Sequence, residues 1–339
     1  MATGEITLLD IHKLNDTVGP LLELNQELAP AFARTPVKRM NGLSYKQPVR
    51  KGFPGFYFSD VGGGAPYTVG EYDSVELTCK HLDGQMRVLK SRLDASRLGE
   101  NASLEGIQFL EADGFTQNLM IGLNDQFFNG PSSSQNNASK GFAGLKQLVA
   151  STMSFGMGGT STGNASAYLV FENVDRGVSW TMPTGQENEL NLLGWQFNNS
   201  IEVSAASGST PANYAPGWTN ACDGYLGLAA RLPQFCIAKI SNIKQDHILT
   251  DGAVDLILSQ FGGMYQPTVC YMPKLVRSWL RSSRSPVTIT NQGVAGSPSA
   301  PMPTEIAGIP IEVTTALSFN ETAVVADNTR YTALSPSSS

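Results

Sequence analysis

The sequence predicts an α+β fold on three observations. Residues 42–79 read as two alternating strands joined by an aromatic, glycine-rich tip. Residues 104–128 read as one long amphipathic helix, and the second half of the chain breaks into short strands with two short helices among them. In the strand pair, Leu43, Tyr45, Gln47 and Val49 occupy alternate positions of one limb. Val75, Leu77 and Cys79 alternate with Ser74, Glu76 and Thr78 on the other. Between the limbs lie Phe53-Pro54-Gly55-Phe56-Tyr57-Phe58, Gly62-Gly63-Gly64 and Pro66-Tyr67. A two-stranded hairpin is marginally stable alone in water, so an arm of this length with an aromatic tip needs a covering surface, and the expected cover is a neighbouring molecule.

Before the arm, residues 6–32 mix helical spacing (Leu21, Leu24, Leu28) with Gly19-Pro20 and Pro30, which predicts short helical pieces on an extended segment. After it, Met86, Leu89 and Leu93 predict a helix over 81–98. The long helix has Ser103 as its expected N-cap and Glu105 in its first turn. Ile107, Phe115, Leu119, Leu123 and Phe127 track one side of it, and Asn129-Gly130-Pro131 ends it. Its length is on the order of 35 Å, enough to brace a subunit. Gly106, Gly114 and Gly122 each weaken it by about 1 kcal/mol relative to alanine, which predicts close packing or a bend. Phe115 and Leu119, one turn apart, are expected in the subunit's own core.

A short amphipathic piece follows at 142–149, then the glycine-rich Phe155-Gly156-Met157-Gly158-Gly159 loop. Strands are predicted at 167–171 and 178–182, joined by an Asp175-Arg176-Gly177 turn. A second strand pair is predicted at 225–230 and 235–240 about Leu232-Pro233-Gln234. Between these pairs, residues 185–218 are polar with strand-like positions at Trp195, Phe197, Ile201 and Val203. A helix at 252–261, a strand at 268–272, a helix at 274–281, a Pro/Ser/Gly-rich loop at 285–303 and strands at 309–313 and 323–326 complete the chain.

At 339 residues the chain has a soft prior of about two domains of roughly 150 residues each. Only 15% of residues are charged, against about 25% in ordinary soluble domains, which fits a surface covered by other subunits and fits an ordinary β-rich protein equally. The net charge of −6 and the lack of a Lys/Arg cluster limit contact with nucleic acid to a weak, non-specific one. Cys79, Cys222, Cys236 and Cys270 lack zinc or redox spacing and are expected as free, mostly buried thiols. The N-terminal residues have neither a basic start nor a continuous apolar run, and no stretch reaches membrane-spanning length, so folding in a cytoplasm without membrane contact is expected.

In order and spacing these parts resemble the major capsid proteins of tailed bacteriophages, the Hong Kong 97-type fold, and particularly a branch found in short-tailed phages. The resemblance covers nearly the whole chain. It is carried by Gly141-Phe142-Ala143-Gly144-Leu145 after the long helix, and by Gly158-Gly159-Thr160-Ser161-Thr162-Gly163 followed by Ser166-Ala167-Tyr168-Leu169-Val170. Further on it is carried by Tyr225-Leu226-Gly227-Leu228, by Ile237-Ala238-Lys239-Ile240-Ser241-Asn242-Ile243 with Lys239 where arginine is commoner, and by Val269-Cys270-Tyr271-Met272-Pro273. The last phrase is Ile306-Ala307-Gly308-Ile309-Pro310-Ile311-Glu312-Val313.

The resemblance implies an N-terminal arm (1–33), an extension loop (34–80), and a spine helix with part of a peripheral domain (81–150). Part of an axial domain (151–176), peripheral strands with a polar insertion (177–243), and the axial domain with a C-terminal tail (244–339) then follow. The region 185–222 has no clear counterpart and stays open between a surface loop and an extra strand pair. The resemblance further implies self-assembly into the pentamers and hexamers of an icosahedral shell around double-stranded phage DNA. Portal, scaffold and cement proteins are the implied partners, DNA contact is weak and non-specific, and the location is the virion after assembly in the host bacterial cytoplasm. No cofactor, metal or catalytic residue is implied. Phe53, Phe56, Tyr57, Phe58 and Tyr67 are the expected assembly contacts, and Ile107, Phe115, Leu119 and Leu123 the expected core of the spine helix.

The alternatives are another virion component, such as a tail or decoration protein, and a serine hydrolase, since Gly159-Thr160-Ser161-Thr162-Gly163 is a literal G-x-S-x-G. A nucleophile elbow needs a strand entering the turn, a helix leaving it, and an acid and a histidine after it in order. Here a loop precedes, a strand follows, and His247 is the only later histidine, so a polar connection is the favoured reading. His12, His81 and His247 are too scattered for a metal cluster. Some capsid proteins of this fold cross-link lysine to asparagine; Lys46 and Lys51 lie in the corresponding arm, with solvated or salt-bridged lysines the favoured reading.

Overall fold

The computed structural model describes residues 29–64, 66–91, 94, 104–132, 138–160, 162–185, 191–204, 213–284 and 301–323. The helical pieces expected before residue 29, the Ser103 cap, Ser161, most of the 285–303 loop and most of the 323–326 strand lie outside the described residues.

In chain order the elements are α1 (Pro30–Arg34), β1 (Val37–Met40), β2 (Ser44–Gly52), β3 (Glu71–Thr78), β4 (Lys80–Leu89), α2 (Leu104–Asn129), α3 (Leu145–Leu148), β5 (Ser154–Gly156), β6 (Ala165–Val170) and β7 (Val178–Pro183). They continue with β8 (Asn191–Leu192), β9 (Gln196–Ser204), β10 (Asn213–Ala230), α4 (Pro233–Cys236), β11 (Ile237–Ile243), α5 (Asp251–Leu258), β12 (Val269–Met272), α6 (Lys274–Arg284), β13 (Glu305–Ile306) and β14 (Ile309–Val313). One six-stranded sheet runs β1-β7-β10-β4, with β8 and β9 also paired to the long β10. A second runs β13-β14-β12-β6-β11-β5, and β2 and β3 form a two-stranded sheet of their own.

The second sheet is apolar along its central strands because both its faces are covered, so β6, β11 and β12 are buried at every position. Period-two alternation divides these strands between two cores. Ala167, Leu169, Cys270 and Met272 face Val254 and Ile257 of α5 and Val276 and Leu280 of α6. Tyr168, Val170, Val269 and Tyr271 face the other way, onto Phe127 and Phe128 at the C-terminal end of α2. This second core continues to Trp180, Leu226 and Leu228 of the first sheet, so it joins the two sheets. Trp180 is its centre: its ring lies 5.3 Å from Phe127 and 5.6 Å from Phe142, and its Nε1 donates to the carbonyl of Ala31 at 3.4 Å.

Three expectations are corrected. Residues 80–89 form a strand, not a helix: Leu82, Gly84, Met86 and Val88 turn inward at every second position, and the missing side chain at Gly84 hides that alternation in the sequence. The segments 225–230 and 235–240 do not pair, because β10 belongs to the first sheet and β11 to the second, with α4 as the crossing point. Phe115 is half-buried and outside the apolar clusters. Its ring lies over Gly84, where a Cβ would stand 2.5 Å from Cζ, beside a cleft of about 690 Å³ between β4 and α2. Of the other helix residues singled out, Ile107 and Leu123 are buried and Leu119 is half-buried against the second core. Where it is described, the polar region forms an extra strand pair, β9 on β10, whose Trp218 meets Phe197 edge to face at 5.2 Å.

Candidate assembly surface

The arm follows the alternation read in the sequence: β2 and β3 pair antiparallel from Ser44↔Thr78 to Gly52↔Glu71, with one irregularity at Arg50/Gly52. Among the described residues the strands pair only with each other, which leaves two free edges there, and a free edge is a row of unpaired backbone groups. At the end of the arm Arg50 holds the tip in shape. Its guanidinium lies 5.4 Å from the ring centroids of both Phe53 and Tyr72 and donates to the Tyr72 hydroxyl at 3.2 Å. The Thr68 hydroxyl donates to the Gly55 carbonyl across the loop, and Gly62, at φ +93°, takes the left-handed turn that glycine permits.

Even so, the tip aromatics face solvent, Phe53 under its arginine included. Phe53 is 80% exposed, Phe56 84%, Phe58 98% and Tyr67 92%, with Tyr57 at 55%. Phe56 and Phe58 touch each other edge to face at 6.0 Å and contact no apolar cluster of the described residues. Exposed large apolar side chains gathered on one projecting element mark an interaction surface. Lys46 on the arm is exposed.

At its root the arm is tied to the first sheet. Leu77 and Cys79 pack with Met40 and Ala229 in a small core of their own. Cys79 Sγ donates to the Thr181 carbonyl at 3.4 Å, and Gly227 lets the arm backbone pass so close that a Cβ there would stand 2.4 Å from the carbonyl oxygen of Thr78. Arg231, buried at the end of β10, donates from Nε to Oε1 of Gln47 at 2.7 Å. Sequence reasoning missed these root contacts. The available signal was a lone arginine directly after the apolar run 225–230.

Where the chain arrives from its N-terminal segment, a polar knot joins both halves of the molecule. Glu172 accepts from Tyr271 Oη at 2.6 Å, Thr35 Oγ1 at 2.8 Å and Arg34 Nε at 3.1 Å, while Arg34 also reaches Glu312 and the carbonyl of Thr268. Burial, and then the Glu172 carboxylate, push the Tyr271 phenol well above its usual range.

Around Ser161 the described neighbours lie between two strands: β5 precedes and β6 follows, with the bridge Asn164↔Glu321 at the exit. A short strand thus enters where a loop was expected, but no helix leaves. His247 sits in a turn with Lys244, and Asp223 bonds His81 at 2.5 Å. Among the described residues no group of three or more His, Cys, Asp or Glu is placed to hold a metal, and no helix is long and apolar enough to cross a membrane. All four cysteines are free and buried.

No family model matches the chain, and no curated protein matches it. Among solved structures, a chain of bacteriophage Epsilon15 superposes with a TM-score of 0.57 at 17% identity, over 96% of this chain and 97% of that one. The chain has the Hong Kong 97-type capsid fold. The bacteriophage JBD30 capsid matches at a TM-score of 0.46 and 12% identity over 92% and 99% of the two chains. The holo-SrpI encapsulin complex of Synechococcus elongatus matches at 0.43 and 11% over 69% and 94%.

Proposed function

We propose that this chain is the major capsid protein of a tailed bacteriophage, a structural subunit whose work is association with copies of itself. The observation that carries the reading is the arm: a two-stranded element with free edges and an exposed aromatic tip, on a fold that matches an Epsilon15 chain end to end. A hairpin of this kind has too little core to hold an order of its own, so burial against another copy is what makes it stable. Subunits meet head to tail around rings of five and six, the heterologous contacts that close into a shell.

On this reading residues 1–33 are the N-terminal arm and 34–80 the extension loop. Residues 81–150 carry the spine helix, and the two sheets supply the peripheral and axial domains, with the chain crossing between them at α4. The shell encloses double-stranded DNA with weak, non-specific contact, and portal, scaffold and cement proteins are its partners in the virion assembled in the host bacterium. Purified recombinant chain, alone or co-expressed with the other structural proteins of its phage, should give megadalton capsomers or shells by electron microscopy. Monodisperse monomers under both conditions would refute the reading.

A further inference from the structure

Arg231 is only 2% exposed, yet it spends its donors at the foot of a projecting arm. Its Nε donates to Gln47 of β2, its Nη1 donates to the Ser179 hydroxyl at 3.1 Å and the Gly177 carbonyl at 3.3 Å, and its buried Nη2 has no acceptor. A guanidinium presents five N–H donors in a rigid fork, so the two bonds that Nη1 makes to the body fix the direction in which Nε points. The body thus aims a fixed donor at one residue of the arm.

Position along the arm decides what that bond does. The root is at Leu43 and Cys79, joined by a backbone bond of 2.8 Å, and the small core of Met40, Leu77, Cys79 and Ala229 sits close to this pivot, with half-buried Val75, opposite Gln47, packed against its outer side. Gln47 lies about 13 Å beyond Leu43 along the strand, and the tip lies on the order of 40 Å beyond it. A swing of about 10° at the root therefore moves the tip by roughly 7 Å, more than the ~4 Å range of a side-chain contact. A directional hydrogen bond at this level fixes an angle, which the non-directional packing of Val75 and the pivot core does not.

We propose that Arg231 is a positioning residue: through Gln47 it sets the direction in which the arm leaves the body. Its importance for assembly rests on the function proposed above, whereas its effect on the arm does not. The test uses the full-length unassembled subunit with Ser59→Cys on the arm and Ser259→Cys on the body carrying spin labels, both sites being exposed while the native thiols are buried. Gln47→Leu, which fills the space but accepts no hydrogen bond, should at least double the width of the label-to-label distance distribution while the subunit still unfolds cooperatively, at a midpoint lowered by the buried donor left unpaired. Gln47→Glu, whose carboxylate accepts from both Nε and Nη2 and gives up only the long 3.5 Å donation of Gln47 Nε2 to the Asp175 carbonyl, should keep the wild-type width. The latch is overturned if Gln47→Leu is as narrow as wild type, or if Gln47→Glu is as broad as Gln47→Leu. Broadening accompanied by normal shells would support the latch and count against the arm as an assembly element.

Discussion

Two aromatic residues show how burial, not type, sets what a residue contributes. Trp180 is 1% exposed amid Phe32, Phe127 and Phe142, and removing its ring leaves a void that rigid neighbours cannot fill. Trp180→Ala should cost about 3–5 kcal/mol of subunit stability. Phe115, half-buried over Gly84 and beside open space, loses only part of that contact, so Phe115→Ala should cost about 1–2 kcal/mol. Urea denaturation of isolated subunits checks the order, and equal losses would contradict it. From the sequence both positions read as inward-facing, since strand alternation and helical spacing each mark a face but not what lies opposite. The glycine under Phe115 is contributed by a strand that the sequence disguises as a helix.

Elements differ in the same way. The long helix was legible because its pattern runs over 26 residues, and the arm because alternation persists on both limbs. Gly114, expected in close packing or at a bend, faces open space, so the helix glycines do not all mark contacts. The arm tip leads to a separation of folding from assembly. Phe56→Ser with Phe58→Ser removes exposed rings that support no apolar cluster of the described residues, so the subunit should unfold at the wild-type midpoint yet fail to build particles. Each buried anchor is worth about 2 kcal/mol or more at an interface and is repeated at every contact of a shell. Normal particles from the double variant, counted by electron microscopy, would remove the tip from assembly.

For the whole molecule, burial of weak acids predicts an alkaline limit. Burial pushes the Cys236 thiol up to about 11 and the Cys270 thiol up to about 12, and it pushes the phenols of Tyr168 and Tyr271 well above their usual range. Each group stays protonated in the fold while the unfolded chain ionises it. The stabilisation is therefore complete below the ordinary values of 9.0 and 10.0, and is lost as pH rises past them toward the folded values. Burial raises the Cys79 and Cys222 thiols as well, while Lys239 and Arg231 are pushed down by burial and act with the opposite sign, two groups against six. The denaturation midpoint of isolated subunits should fall steadily from about pH 9 upward, and less steeply in Cys270→Val. A midpoint flat to pH 11 would be inconsistent with these thiols and phenols being buried.

Local order was determined by the sequence itself. Period and punctuation set the limbs of the arm, the span of α2 between its acidic first turn and Asn129-Gly130-Pro131, and the short strands of the second half, because each depends on residues close in the chain. Partnership was decided only by the tertiary structure. Tyr225–Ala230 and Ile237–Ile243 are neighbours in sequence with similar apolar content, yet they enter different sheets, because two cores compete for them and the short α4 lets the chain cross from one to the other. The grip of Arg231 on Gln47 joins residues 184 positions apart. No local pattern encodes that bond, since its energy exists only once both sheets have packed and the arginine has been taken out of water.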